Sequence, residues 1–115
     1  MTKDRGKGLF VLKGEIKTAP MSKEARGETG WLLRRLQEGE TLGMPHSRPM
    51  PDVGQNCHEL RVNDKNVTWR VIYYVTLEAV AVLDVFWKKT PRTPQHVIDD
   101  CARCLRDFQK RLKGR

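Results

Sequence analysis

Residues His58–Thr90 read HELRVNDKNVTWRVIYYVTLEAVAVLDVFWKKT, and this stretch decides the fold. Val67–Val75 and Ala79–Trp87 are rich in β-branched and aromatic residues, which suit a pleated, half-buried surface. Asn63-Asp64-Lys65-Asn66 breaks the run with residues that tolerate the left-handed region and bond their own backbone. Thr76-Leu77-Glu78 is short enough for a second hairpin link. The stretch therefore predicts three consecutive antiparallel strands carrying arginines and lysines among their apolar residues.

Strand alternation sorts these side chains by face. Trp69, Val71, Tyr73 and Val75 share one face of the middle strand, and Arg70, Ile72 and Tyr74 the other. His58, Leu60 and Val62 lie opposite Glu59 and Arg61. In the last strand Asp84, Phe86 and Lys88 are expected opposite Ala81, Leu83, Val85 and Trp87. One consistent solution puts Arg61, Arg70, Tyr74, Asp84 and Lys88 on a single side, and a β-bulge would break that parity.

Working outward, Leu9–Ile16 is a candidate first strand, weakened by Lys13 and Gly14 and suited to a sheet edge. Met1–Gly8 reads as a flexible end. Ser22–Glu38 reads as a helix with Ser22 as N-cap and Gly39 as stop. Ala25, Thr29, Leu32, Leu33 and Leu36 form its inward stripe. Gly27 and Gly30 each cost ~1 kcal/mol relative to alanine there, and either split the helix or allow close packing on the sheet. Glu40–Asn56 contains Pro45, Pro49 and Pro51 and predicts a long connection without regular structure. Its His46 and Arg48 suggest a functional flap; a structured crossover is the plainer reading. Thr93–Leu112 predicts a helix with Thr93 as N-cap and Pro94 at its first position. Val97, Ile98, Cys101, Leu105, Phe108 and Leu112 form its apolar stripe, and its end is strongly basic.

The chain has 115 residues, a length that predicts one domain over 1–115 able to bury a core without disulfides or metal. Its net charge of +8 favours an acidic partner such as RNA, DNA, an anionic membrane or an acidic protein. No stretch has the length and apolarity of a membrane span. The charged start MTKDRGKG lacks the apolar run of a signal peptide, so a cytoplasmic location is expected. Cys57, Cys101 and Cys104 are an odd count, against a disulfide framework. Cys101-x-x-Cys104 lies within the last helix, not on a turn, which argues for core packing over zinc. No cofactor and no metal are expected.

What remains for chemistry is Arg61, Arg70, Tyr74, Lys88, Lys89, Arg92 and His96. Such a set suits a phosphodiester. RNA carries its own nucleophile, the 2′-OH, so a protein need supply only a base, cations for the charge on phosphorus, and an acid for the leaving 5′-oxygen. Arg61 and Arg70 suit charge stabilisation. Lys88 beside Lys89 is the candidate base, and His96 the candidate acid. Tyr74, Lys89 and Arg92 are candidate RNA contacts. The duller readings are a cross-strand Arg70–Asp84 pair, a solvated Lys88-Lys89 strand end and a merely packing His96. His58, Trp69 and Tyr73 read as core or partly buried residues.

The run GxLLRRLQEGE, LGMPHSRPMPxxG, CHELRV, TWRVIYYV, AVxVxxVFxKKTxxTPxxxID and RL resembles the phage-derived, HigB-like branch of the RelE/ParE toxin superfamily. The resemblance implies an α+β RelE-like fold, with an N-terminal strand and helix packed on a curved antiparallel sheet and a C-terminal helix. It also implies the toxin of a type II toxin–antitoxin system, cutting messenger RNA on the ribosome without metal and neutralised by a helix-turn-helix antitoxin. Operator DNA would be met only through the antitoxin complex. The basic positions of the family fall on Arg61, Arg70, Lys88 and Lys89, and His96 lies near a C-terminal His or Tyr of related toxins. ParE-like members poison DNA gyrase instead, so three activities stay open: an mRNA endonuclease, a gyrase inhibitor, and a non-catalytic nucleic-acid-binding protein.

Overall fold

The structure is a computed structural model that describes residues 6–14, 21–88 and 92–113. Its elements are β1 (Gly8–Val11), α1 (Lys23–Gln37), β2 (Ser47–Pro49), β3 (Cys57–Asp64), β4 (Val67–Val75), β5 (Ala79–Lys88) and α2 (Gln95–Lys113). Among the described residues the strands form one sheet in the order β1-β5-β4-β3-β2. The expected α+β class is therefore observed. The β3–β4–β5 meander is antiparallel throughout. The sheet as a whole is mixed, because the edge strand β1 runs parallel to β5.

The first hairpin turns on Lys65 and Asn66, with Asp64 paired to Val67 and Lys65 at φ 56°. This register places Arg61 opposite Arg70 and Glu59 opposite Ile72. Across the second hairpin Ile72 faces Asp84 while Tyr73 faces Val82, so Leu83 is an extra residue on β5. That bulge breaks the expected parity for part of the strand. Val85 and Trp87 do lie opposite Asp84 and Phe86, but Ala81 and Leu83 fall on the same side as Tyr74 and Ile72.

Each face of the sheet is covered by one helix. On one side Ala25, Leu32, Leu33 and Leu36 of α1 pack with Leu60, Val62, Trp69, Val71, Tyr73, Val80 and Val82. The inward stripe of α1 is the predicted one, including the buried Thr29, whose hydroxyl donates to the Ala25 carbonyl at 2.8 Å. Ser22 caps the helix, its Oγ accepting from the Ala25 amide at 3.0 Å. Gly39, at φ 95°, ends it. Gly27 and Gly30 neither split α1 nor bring it closer to the sheet: a Cβ at either would meet nothing within 4 Å.

On the other side Ile98, Cys101 and Leu105 of α2 pack on Cys57, Ile72 and Leu83, and Phe108 packs on Ala79 and Ala81. Within the loop expected to lack regular structure, Ser47–Pro49 forms a strand on the edge of β3. Proline is tolerated there because an edge strand need not donate every amide. Of Met1–Gly8, read from sequence as flexible, residues 1–5 lie outside the described residues, and Gly6–Gly8 is anchored. The Lys7 amide donates to the Gln37 carbonyl at 2.8 Å, its Nζ to the Thr76 carbonyl at 2.7 Å, and Gly8 begins β1. No described helix is long and apolar enough to cross a membrane.

Candidate functional site

The α2-facing side of the sheet divides in two. Toward the middle of α2, Cys57, Ile72, Tyr74 and Ala81 lie under the helix as core. Toward its start, the side chains become charged: Arg48 faces Glu59 across β2 and β3, and Arg61 faces Arg70 across β3 and β4. The alternation that put Arg61 and Arg70 on one side is observed.

Glu59 is the centre of this group. Its side chain is 0% exposed, and its Oε1 accepts from Arg70 Nη1 at 2.9 Å and from Arg48 Nε at 3.0 Å. The other oxygen, Oε2, accepts from the Thr93 hydroxyl at 3.2 Å. A buried carboxylate needs such partners, since water cannot reach it. Two guanidinium groups on one carboxylate also leave this cluster positive among the described residues, and Arg61 and Arg92 add to it.

These contacts correct two expectations. Arg70 pairs with Glu59, not with Asp84, which lies 3.9 Å from Lys13 instead. Thr93 does not cap α2; its hydroxyl is committed to Glu59, and the Pro94 carbonyl accepts the first helical bond from Ile98 at 3.2 Å. The Arg70 side chain, named from sequence as a charge-stabilising group, is only 3% exposed.

In front of the cluster lies an open cleft of about 440 Å³. Arg48, Asp52, Arg92, Thr93 and Gln95 give it polar walls, and Pro49, Met50, Pro51 and Ile98 an apolar lining. It is framed by β2 with its following loop and by the approach to α2. Of the residues singled out from sequence, Arg92 is exposed and lines this cleft. Arg61 is half-buried beside Arg70. His96 is exposed in the first turn of α2 but is not part of the cleft lining. Lys88 ends β5 opposite Thr68, with its side chain outside the described residues, as is all of Lys89.

Tyr74 lies away from this group. It packs edge-on against Phe108, with ring centroids 6.4 Å apart, and Gln109 donates to its hydroxyl at 3.4 Å. It is half-buried and packs against the core under α2. Sequence reading named Arg48 only as part of a possible functional flap, and it missed Asp52 and Glu59 as site residues. Glu59 did carry a signal, as an acidic residue in an apolar strand on the same side as Arg61.

His58, Tyr73, Cys57 and Cys101 are held in or against the core. His58 stacks on Tyr73 at 5.3 Å between centroids, and burial lowers its pKa. Tyr73 is buried, with its hydroxyl 2.8 Å from Ser47 Oγ and its pKa raised by burial. Cys57 and Cys101 lie in the core, where burial pushes both thiols up to about 12. Among the described residues no three His, Cys, Asp or Glu side chains are grouped to hold a metal ion.

No curated protein matches the chain. The family of the phage derived protein Gp49-like matches it over residues 16–106, a span that includes both helices for most of their length and strands β2 to β5. The chain belongs to this Gp49-like family, which is a RelE/toxin-like family.

Proposed function

We propose that this chain is the HigB-like toxin of a type II toxin–antitoxin pair and an endonuclease that cuts messenger RNA on the ribosome. The observation that carries the reading is the positive group at the start of α2: Arg48 held by Glu59, with Arg61 and Arg92 brought near it by the fold, on a protein of net charge +8. Such a group suits the charge that builds on phosphorus during transphosphorylation. In the step, a base takes the 2′-OH proton, the 2′-oxygen bonds phosphorus, and the P–O5′ bond breaks as the 5′-oxygen takes a proton. Lys88 is the proposed base and His96 the proposed acid, with Arg61 and Arg92 contacting the phosphate and Lys89 the neighbouring backbone. A helix-turn-helix antitoxin with an acidic segment would neutralise the toxin by covering these cations. The place of action would be the cytoplasm.

The test is primer extension on a reporter mRNA in a translating bacterial extract, with wild type, R61A, R92A and K88A, with and without ribosomes. New 5′ ends that need ribosomes and disappear in R61A and K88A are the expected result. Cuts that persist in every variant keep the nuclease and discard the site. Growth arrest without cuts, accompanied by gyrase-dependent DNA breaks, replaces the proposal with gyrase poisoning.

A further inference from the structure

The cleft combines features that phosphate binding alone does not require. Arg48 and Arg92 supply cations, but Asp52 places a carboxylate beside them, and Met50 and Ile98 an apolar surface. A site for phosphate only would gain nothing from Asp52, whose charge repels the ligand. Its volume of about 440 Å³ falls within the range of small-ligand sites, roughly 300–1,000 Å³.

We infer that this cleft is a single-nucleotide subsite that selects guanine, with Asp52 as the residue that reads the base. The inference rests on the RNA reading above and adds to it a residue and a base preference. A carboxylate is acceptor-only and has two oxygens. Guanine is the base whose Watson–Crick edge offers two adjacent donors, N1–H and the N2 amine, and so pairs with both oxygens at once. Adenine and cytosine each offer one donor next to a ring-nitrogen acceptor, which a carboxylate repels. Uracil offers N3–H between two carbonyls, which the carboxylate also repels. The apolar lining of Met50, Pro49 and Ile98 receives the face of the ring, since unstacked RNA bases are held by flat apolar contact as well as by their edges.

Arg92 and Arg48 then meet the phosphates on either side of the base. Arg48 enters this role already oriented, its Nε fixed on Glu59 at 3.0 Å and its side chain 34% exposed. Asp52 and Arg92 are both exposed, so neither contributes a buried contact to the fold, and their variants are expected to fold as the wild type does.

The test is fluorescence-anisotropy binding of labelled single-stranded RNA octamers at low salt: oligo-U, the same sequence with one central guanosine, and the same with inosine, which lacks the N2 amine. The wild type is expected to bind the guanosine octamer about tenfold tighter than oligo-U, in line with a bidentate contact to a charged acceptor, with inosine between them. D52A should abolish the preference for guanosine. D52N should bind guanosine and inosine alike, because an amide can pair with N1–H and O6, which the two bases share. R92A should weaken all three equally and flatten the salt dependence. Equal affinity of the wild type for the three octamers, no binding at low salt, or a guanosine preference that survives D52A overturns the subsite. Loss of ribosome-dependent cutting with an intact, Asp52-dependent preference would instead remove the nuclease and leave the subsite standing.

Discussion

Glu59 and Arg70 form a 2.9 Å ion pair whose side chains are 0% and 3% exposed. They sit diagonally across β3 and β4, since Glu59 faces Ile72 and Arg70 faces Arg61. Taking either charge out of water is costly, and removing one partner strands the other. Glu59→Gln is therefore expected to destabilise the protein by about 3 kcal/mol, at the lower end of values for breaking a buried pair. The loss should appear as a lower urea midpoint with an unchanged slope. Because Thr93 also donates to Glu59, amide exchange in residues 93–98 should quicken in the same variant. An unchanged midpoint would mean that the pair does not hold the fold.

Gly27 and Gly30 give the opposite expectation. Both lie on the exposed side of α1, with nothing within 4 Å of the position a Cβ would take. Glycine in a helix interior is less favourable than alanine by about 0.8–1.0 kcal/mol, and no packing at these positions offsets it. Gly27→Ala and Gly30→Ala are each expected to stabilise the protein by roughly that amount, additively to first order. Thermal unfolding of the two single variants and the double variant checks this. A loss of binding to an antitoxin in these variants, with stability raised, would show that the bare surface serves an interface.

The meander and the α1 stripe were legible because both rest on periodicity: alternation in Trp69–Val75, and helical spacing from Ala25 to Leu36. Local chemistry also carried the Ser22 cap and the Gly39 stop. Strand β2 was not legible, because its three residues are held by the β3 edge and not by any preference of Ser47-Arg48-Pro49. The Leu83 bulge has no local signature, being set by how β5 meets β4 on one side and β1 on the other. At the site, alternation placed Arg61 and Arg70 together but could not tell their depths apart. Burial depends on α2 closing over one half of the face, a tertiary fact. The role of Thr93 was lost for the same reason: its spacing before Gln95 suits a cap, yet Glu59, far away in sequence, claims its hydroxyl.

The thiols separate by depth. Cys57 and Cys101 are 2% and 1% exposed, and burial pushes both to about 12. Cys104 is half-buried and raised as well, burial again the main cause. The thiolate is the reactive form, and it must also be reached by the reagent. In the native protein at pH 8 a disulfide reagent such as DTNB should therefore titrate Cys104 slowly and leave Cys57 and Cys101 untouched. All three should react at once in denaturant. Fast reaction of Cys101 in the native state would show that α2 lifts from the sheet.

Two aspartates should give pH effects of opposite sign. Asp64 accepts from the Ser22 amide and from the Trp69 indole, both at 2.9 Å, joining the start of α1 to the first hairpin. The Ser22 bond above all holds its carboxyl below the ordinary value of 3.8. A depressed carboxylate contributes stability that is full above the unfolded value and is lost as pH falls through the folded one. Asp84 is the reverse: burial raises its pKa, against a weaker pull from Lys13 and the amide of Val85. Its ionisation therefore costs stability as pH rises from 3.8 through the folded value, and the cost is complete above it. Asp64→Asn should thus lower the melting temperature at pH 7, and Asp84→Asn, which keeps an oxygen for Val85, should raise it. The Asp84 difference should shrink as pH falls below about 4, where that carboxyl becomes neutral in folded and unfolded states alike, and the Asp64 difference only at lower pH, as its depressed folded value is passed. Melting curves from pH 3 to 8 check both signs in one experiment. An Asp84→Asn variant less stable than wild type at pH 7 would mean that the attraction of Lys13 outweighs the cost of burial.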